Sequence, residues 1–219
     1  MTIFLVRHGE TEWNLIGRYQ GACASPLTAR GVAQAQAIGR RLRGLSEAAD
    51  ARIVSSPLGR ARRTAEIIGE CLGRREAPFI DERLREISLG SWDGLDRNEI
   101  RMIAPEIFAR PVRHEWYFRT PDGESFGAFS ARIAAWLGDF GDAPVIAVCH
   151  GVVSRVLRGL YAGLARDDAL RLPVRQDRIF RLAERRIEEI PIQTPAPAGS
   201  VDNPCMVAGT AGITADSGG

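Results

Sequence analysis

Residues 2–11 read Thr2-Ile3-Phe4-Leu5-Val6-Arg7-His8-Gly9-Glu10-Thr11. The run from Ile3 to Val6 is short, apolar and unbroken, as suits a strand buried on both faces. It stops at Arg7-His8-Gly9, so a cation and an imidazole are delivered where the chain must turn. In an open α/β sheet the carboxyl end of a strand is where ligands bind. Taken alone, the Arg-His pair reads equally well as a solvated strand end. Residues 143–151 repeat the arrangement, with Val145-Ile146-Ala147-Val148 running into Cys149-His150-Gly151. The chain has three histidines, and two of them follow an apolar run and precede glycine. That recurrence favours a functional site.

Outward from the first strand, Glu12-Trp13-Asn14 and Gly17-Arg18-Tyr19-Gln20-Gly21 read as a loop over the strand ends. Thr28 suits the N-cap of a helix to about Leu45, with Val32, Ala35, Ile38, Gly39 and Leu42 on one face. Arg52 to Ser55 reads as a strand leading through Ser56-Pro57 into a helix over about 58–72. Phe79-Ile80 forms a third short strand, and Asp81 to Gly94 is polar and punctuated by glycine. Residues 96–104 read as helix. Pro105 to Asp122 is irregular and rich in arginine and aromatics, the pattern of a cap insertion. Helices over about 124–137 and 152–160 flank the strand that ends at His150, and Ile179–Ala183 and Arg186–Ile190 pair as edge strands. The fold class expected is α/β, a three-layer α/β/α sandwich with a mostly parallel central sheet and a small cap. One domain spans residues 1–190. Residues 191–219, rich in proline, glycine, alanine, serine and threonine, form a tail with no apolar periodicity and are expected to be disordered.

Composition narrows the chemistry. The formal net charge is +2, which gives no reason to expect nucleic acid or membrane binding. All 29 basic residues are arginine, so neither a lysine Schiff base nor a P-loop lysine is available. The four cysteines, at 23, 71, 149 and 205, have no metal-type or disulfide-framework spacing. Reduced cysteines and a strand that begins almost at residue 1 lead us to expect a cytoplasmic protein.

At this point the sequence resembles a known family. Leu5-Val6-Arg7-His8-Gly9-Glu10-Thr11-Glu12-Trp13-Asn14 is similar to the signature of the histidine phosphatase superfamily, with its phosphoglycerate mutase-like fold. Further matches follow in the family's order: Gly17 to Gly21, Ser55-Ser56-Pro57-Leu58-Gly59-Arg60-Ala61, Leu84-Arg85-Glu86, Gly90 to Gly94, Pro121 to Ser125, and Cys149-His150-Gly151. The ordered set covers residues 3 to 185. One departure is Ala24, where the family usually carries an aspartate before Ser25-Pro26-Leu27.

The resemblance implies that His8 is the nucleophile of a phosphohistidine intermediate and that Glu86 is the general acid. It implies phosphate contacts from Arg7, Arg60 and His150, with Asn14, Gln20, Gly21 and Gly151 lining the phosphate pocket. These residue types suit phosphoryl transfer, which demands positioning and neutralisation of charge on the phosphoryl oxygens. A neutral imidazole can attack phosphorus near pH 7, and guanidinium forks match phosphate geometry. No metal and no cofactor are expected. The substrate expected is a small phosphorylated metabolite, with Arg110, Arg113, His114, Trp116 and Tyr117 of the cap as candidate contacts. Oligomeric state is open, a dimer included.

Four rival readings stand beside this one. Gly123-Glu124-Ser125-Phe126-Gly127 fits the G-x-S-x-G pattern, but a nucleophile elbow needs a buried strand before it, and Arg119-Thr120-Pro121-Asp122 is turn-like. Cys149 adjoins His150, yet neighbouring strand residues face opposite ways, so a buried structural thiol is the better reading. A cofactor-dependent phosphoglycerate mutase would typically carry Glu-Arg-His-Tyr-Gly around the acid. Here the stretch is Glu86-Ile87-Ser88-Leu89-Gly90, which favours a phosphatase. A non-catalytic phosphate-binding module is disfavoured by the intact set Arg7, His8, Arg60, Glu86 and His150.

Overall fold

The computed structural model describes residues 1–109, 115–139, 141 and 143–193. Along the chain it places β1 (Ile3–Arg7), α1 (Glu12–Leu15), α2 (Ala29–Arg43), β2 (Arg52–Ser55), α3 (Gly59–Cys71), β3 (Phe79–Ile80), α4 (Arg97–Ile103), α5 (Pro105–Ala109), α6 (Phe126–Gly138), β4 (Val145–Cys149), α7 (Gly151–Ala162), α8 (Arg166–Arg171), β5 (Arg178–Ala183) and β6 (Arg186–Pro191). The six strands form one sheet in the order β3-β2-β4-β1-β5-β6. β3, β2, β4 and β1 are mutually parallel, and β5 reverses to pair antiparallel with both β1 and β6.

Period-two alternation along β1 builds the three layers. Ile3 and Leu5 enter one core with Phe129, Ile133 and Trp136 of α6 and Val153 and Leu157 of α7. Phe4 and Val6 enter the other core with Ile38 and Leu42 of α2 and Ala61, Ala65 and Ile68 of α3. The expected sandwich is therefore present. β4 is buried along its whole length, as befits a central parallel strand.

Several boundaries differ from the reading above. Residues 12–15 are a helical turn, because Thr11 and Asn14 close a reciprocal capping box. The cap contains α5 and a 3-10 turn over Glu115–Phe118, and α8 follows α7 where no element was expected. β6 runs to Pro191, and Ile192 is buried with its backbone N–H bonded to Asp177, so ordered packing passes residue 190. The remainder of the expected tail, from residue 194, lies outside the described residues.

Candidate active site

Register brings the two histidines together. β1 and β4 are adjacent and parallel, with Arg7 opposite Cys149. The next residues, His8 and His150, therefore stand side by side on the α3 face, with ring centroids 5.2 Å apart. The same alternation sends Cys149 to the opposite core, where burial raises its thiol pKa.

The His8 ring is buried, and its Nδ1 lies 2.7 Å from the carbonyl of Gly9. A carbonyl only accepts, so Nδ1 carries the hydrogen and the lone pair of the neutral ring is on Nε2. Burial, then the charges of Arg7 and Arg60, hold the His8 pKa well below 6.5. The ring is thus neutral at pH 7. Gly9 itself is locked: its N–H donates to Thr64 Oγ1 at 3.0 Å.

Arg60, on the first turn of α3, is 3% exposed and makes a hydrogen bond from each of its three nitrogens. It donates to the carbonyls of Cys23 and Gly21, each at 2.7 Å, and through Nε to His150 Nδ1 at 3.2 Å. Burial lowers its pKa to about 10, so it stays cationic at neutral pH. Gly21 takes a positive φ of 47°, and a Cβ there would lie 1.5 Å from Asp93 Oδ1. Only glycine fits at this bend. Arg7 differs from Arg60, because its buried Nε has no hydrogen-bond partner among the described residues. A buried guanidinium N–H left open in a cleft is a site for an anion's oxygen.

Glu86 approaches from the other side. Its Oε2 accepts from Val152 N–H at 3.1 Å, and its Oε1 accepts from Val153 at 3.3 Å and from Ile87 at 3.1 Å. The carboxylate therefore rests on the N-terminus of α7, where the helix dipole favours negative charge. Gly151, the first residue of that helix, leaves the floor open: a Cβ would sit 3.3 Å from Val174, 3.7 Å from Glu86 and 3.9 Å from Arg7.

Arg7, His8, Asn14, Gln20, Gly21, Arg60, Glu86 and Gly151 all line one cavity of about 300 Å³. Gln20 donates to Thr11 Oγ1 at 2.7 Å, while its buried Oε1 has no partner among the described residues. His150 does not line the cavity. Its ring is wholly buried, and Nε2 is 2.7 Å from Ser56 Oγ. Of the expected cap contacts, Trp116 is turned into the core against Tyr19 and Tyr117, at centroid distances of 4.6 and 4.2 Å, because its large ring completes the α6 layer. Its neighbour Tyr117 faces the cavity instead. Arg110, Arg113 and His114 lie outside the described residues.

Sequence reasoning did not single out Ser56, Thr64, Arg155 or Gln176. Arg155 lines the cavity, one helical turn beyond Gly151. Ser125, the serine of the rival motif, caps α6 by accepting from Ala128 N–H at 3.2 Å, so it is no nucleophile elbow. Among the described residues no three His, Cys, Asp or Glu side chains converge as a metal site, and no helix is long and apolar enough to cross a membrane.

Comparison with known proteins agrees with this geometry. Residues 3–186 match the family model of the histidine phosphatase superfamily, branch 1. A probable phosphoglycerate mutase, GpmB, of Salmonella arizonae is 37% identical over 190 residues, covering 83% of this chain and 84% of the relative. The alpha-ribazole phosphatase from Shigella flexneri superposes with a TM-score of 0.74 at 26% identity, over 88% of this chain and 96% of that one. A mycobacterial glucosyl-3-phosphoglycerate phosphatase superposes with a TM-score of 0.69 at 29% identity, over 82% and 88%. The two strand-end histidines, the arginines beside them and this match over most of the length lead to one conclusion: the chain belongs to the histidine phosphatase superfamily, branch 1.

Proposed function

We propose that the chain is a phosphomonoester hydrolase that works through a phosphohistidine on His8 and needs no metal. The observation that carries this reading is the His8 ring, with Nδ1 tied to Gly9 and a neutral Nε2 facing a cavity that also holds Arg7 and Arg60. The lone pair of Nε2 attacks phosphorus, and the P–O ester bond breaks. Glu86 takes up a proton once the charge of the phosphate docks beside it, and gives that proton to the departing oxygen. Water then attacks phosphorus on the opposite side, Glu86 takes back a proton, and the P–N bond breaks to release phosphate and restore the lone pair. Arg7 offers its open Nε to a phosphoryl oxygen. Arg60 supplies positive charge, and the amide of Asn14 a neutral donor.

The leaving group occupies the part of the cavity walled by Tyr19, Ile87, Leu89, Tyr117, Val152 and Val174. These walls suit a compact ester with apolar or ring surface. A second reading, a phosphoglycerate mutase, is favoured by the name given to the Salmonella relative. Against it stands the apolar stretch after the acid: Ile87 and Leu89 are buried and line the cavity, where a retained phosphoglycerate would call for polar partners. A panel of phosphomonoesters that includes 3-phosphoglycerate separates the two. Release of inorganic phosphate should outpace isomerisation to 2-phosphoglycerate, and faster isomerisation would establish the mutase.

A further inference from the structure

We infer that Gln176 is a positioning residue of the phosphate pocket, setting the orientation of Asn14 from an anchor on the peptide of His8. The inference rests on the phosphate site proposed above. Gln176 Nε2 lies 3.1 Å from the carbonyl oxygen of His8 and 3.2 Å from Oδ1 of Asn14. A backbone carbonyl only accepts, so the end of Gln176 that reaches it is the NH₂. Asn14 Oδ1 also takes the backbone N–H of Thr11 at 3.2 Å, and that group only donates. The chemistry of the neighbours therefore fixes both amides, with no freedom to exchange oxygen for nitrogen. With Oδ1 held on two sides, Nδ2 is the end of Asn14 left for the cavity that this residue lines. An anion there meets a donor. Rotating the amide would present an oxygen and repel it.

Gln176 can act this way because its own segment is anchored. Arg155 Nε donates to the carbonyl of Leu172 at 2.7 Å, and Arg158 donates to that of Pro173 at 2.6 Å. Arg158 is buried, its guanidinium 3.9 Å from the centroid of Phe180. Both arginines come from α7, the helix whose N-terminus carries Glu86. The segment thus couples α7 to the nucleophile's turn through one amide.

The test is calorimetric titration of inorganic phosphate into the wild type, Gln176→Met, Asn14→Ala and the double variant. Gln176→Met keeps length and removes the donor. It should weaken phosphate about tenfold in the wild-type background, the scale of a hydrogen bond lost in a partly buried site, and less than twofold in the Asn14→Ala background. Equal losses in both backgrounds, or none in either, would overturn the inference while leaving the phosphate site standing. Failure of the wild type to bind phosphate would overturn both. Gln176→Glu is the second variant, should the first not fold. Protonated, its carboxyl restores one donor; ionised, it faces two oxygens. The ratio of wild-type to variant phosphate affinity should climb as pH rises through that ionisation, and a flat ratio would count against the inference.

Discussion

Arg60 donates through Nε to Nδ1 of His150, and this contact of 3.2 Å specifies the protonation of the second histidine. A guanidinium has no acceptor, so Nδ1 must hold a lone pair, and the neutral ring then carries its hydrogen on Nε2, toward Ser56 Oγ. Both nitrogens are occupied. His150 and His8 are adjacent in space and have opposite roles in this arrangement: one ring offers a lone pair to the cavity, the other braces a buried cation. A direct contact between His150 and a phosphoryl oxygen, which only accepts, requires the Nε2–H to leave Ser56 Oγ, or the ring to change tautomer and release Arg60.

Variants should separate those roles. His8→Ala removes the atom that takes the phosphoryl group, and no covalent species should form. His150→Ala should slow turnover by ~10²–10³, the scale of a lost preorganised electrostatic contact, yet still form it. Glu86→Gln should form it with p-nitrophenyl phosphate, whose leaving group hardly needs a proton. Rapid-quench labelling with a ³²P-phosphomonoester, kept alkaline because phosphohistidine is acid-labile, compares the three. Label trapped by His8→Ala, or mapped to a peptide lacking His8, refutes the assignment.

Chelation should leave activity intact. Arg7 and Arg60 bring the charge that phosphoryl transfer needs to the cavity itself. Initial rates with and without EDTA should agree within about twofold, far short of the decade that about 1.4 kcal/mol of barrier would cost. Complete inhibition that a divalent cation reverses would show that a metal takes part.

The strand ends were legible in the sequence because their signal is local: apolar runs of strand length stopping at histidine and glycine. Thr28 was legible as a cap for the same reason, and it accepts from Gly31 N–H at 3.0 Å. The short α5 and α8 carry too few residues for an apolar period to emerge. Residues 12–15 looked like loop because their capping box closes on Asn14 and not on the glutamate or glutamine of the usual pattern. Gln176 gave no signal at all. Its partner His8 is 168 positions away, and only the packing of β5 and α7 against β1 brings them together. Trp116 was misplaced for a related reason: an aromatic in a cap suits a ligand or a core equally, and burial chose the core.

Gly9 and Gly31 should prove as demanding as the histidines. A Cβ on Gly31 would lie 2.0 Å from the carbonyl oxygen of Glu10, and one on Gly9 would lie 2.3 Å from that of Gly31. The start of α2 thus presses on the nucleophile's turn, backbone against backbone. Gly31→Ala should destabilise the protein by about 1–3 kcal/mol, the usual cost of overpacking, and depress turnover by displacing His8. Gly138→Ala, with no atom within 4 Å of the added carbon, should change stability by less than about 0.5 kcal/mol or raise it slightly. Urea denaturation of both variants decides the matter. Equal midpoints for Gly31→Ala and wild type would show that the helix can slide away.

The two buried histidines should make the fold lose stability as pH falls below 6.5. Both pKa values are held well below that figure, first by burial and then by arginine charge, with Arg7 and Arg60 acting on His8 and Arg60 foremost on His150. Unfolding returns each ring to water and an ordinary pKa. Between 6.5 and the depressed folded values, the unfolded chain therefore binds more protons than the native one, and stability falls with falling pH. Each ring contributes a slope of up to about 1.4 kcal/mol per pH unit in that window. Asp81, whose pKa is lowered beside Arg83, acts only below its ordinary 3.8 and does not interfere above pH 5. Urea unfolding at pH 7.5, 6.5, 5.5 and 5.0 should show a loss that steepens below 6.5, and His150→Gln should remove about half of the slope these two rings provide. A pH-independent midpoint across this range would mean that both rings take up protons as readily in the folded protein as in the unfolded chain, and the lone pair of His8 would then be lost below 6.5.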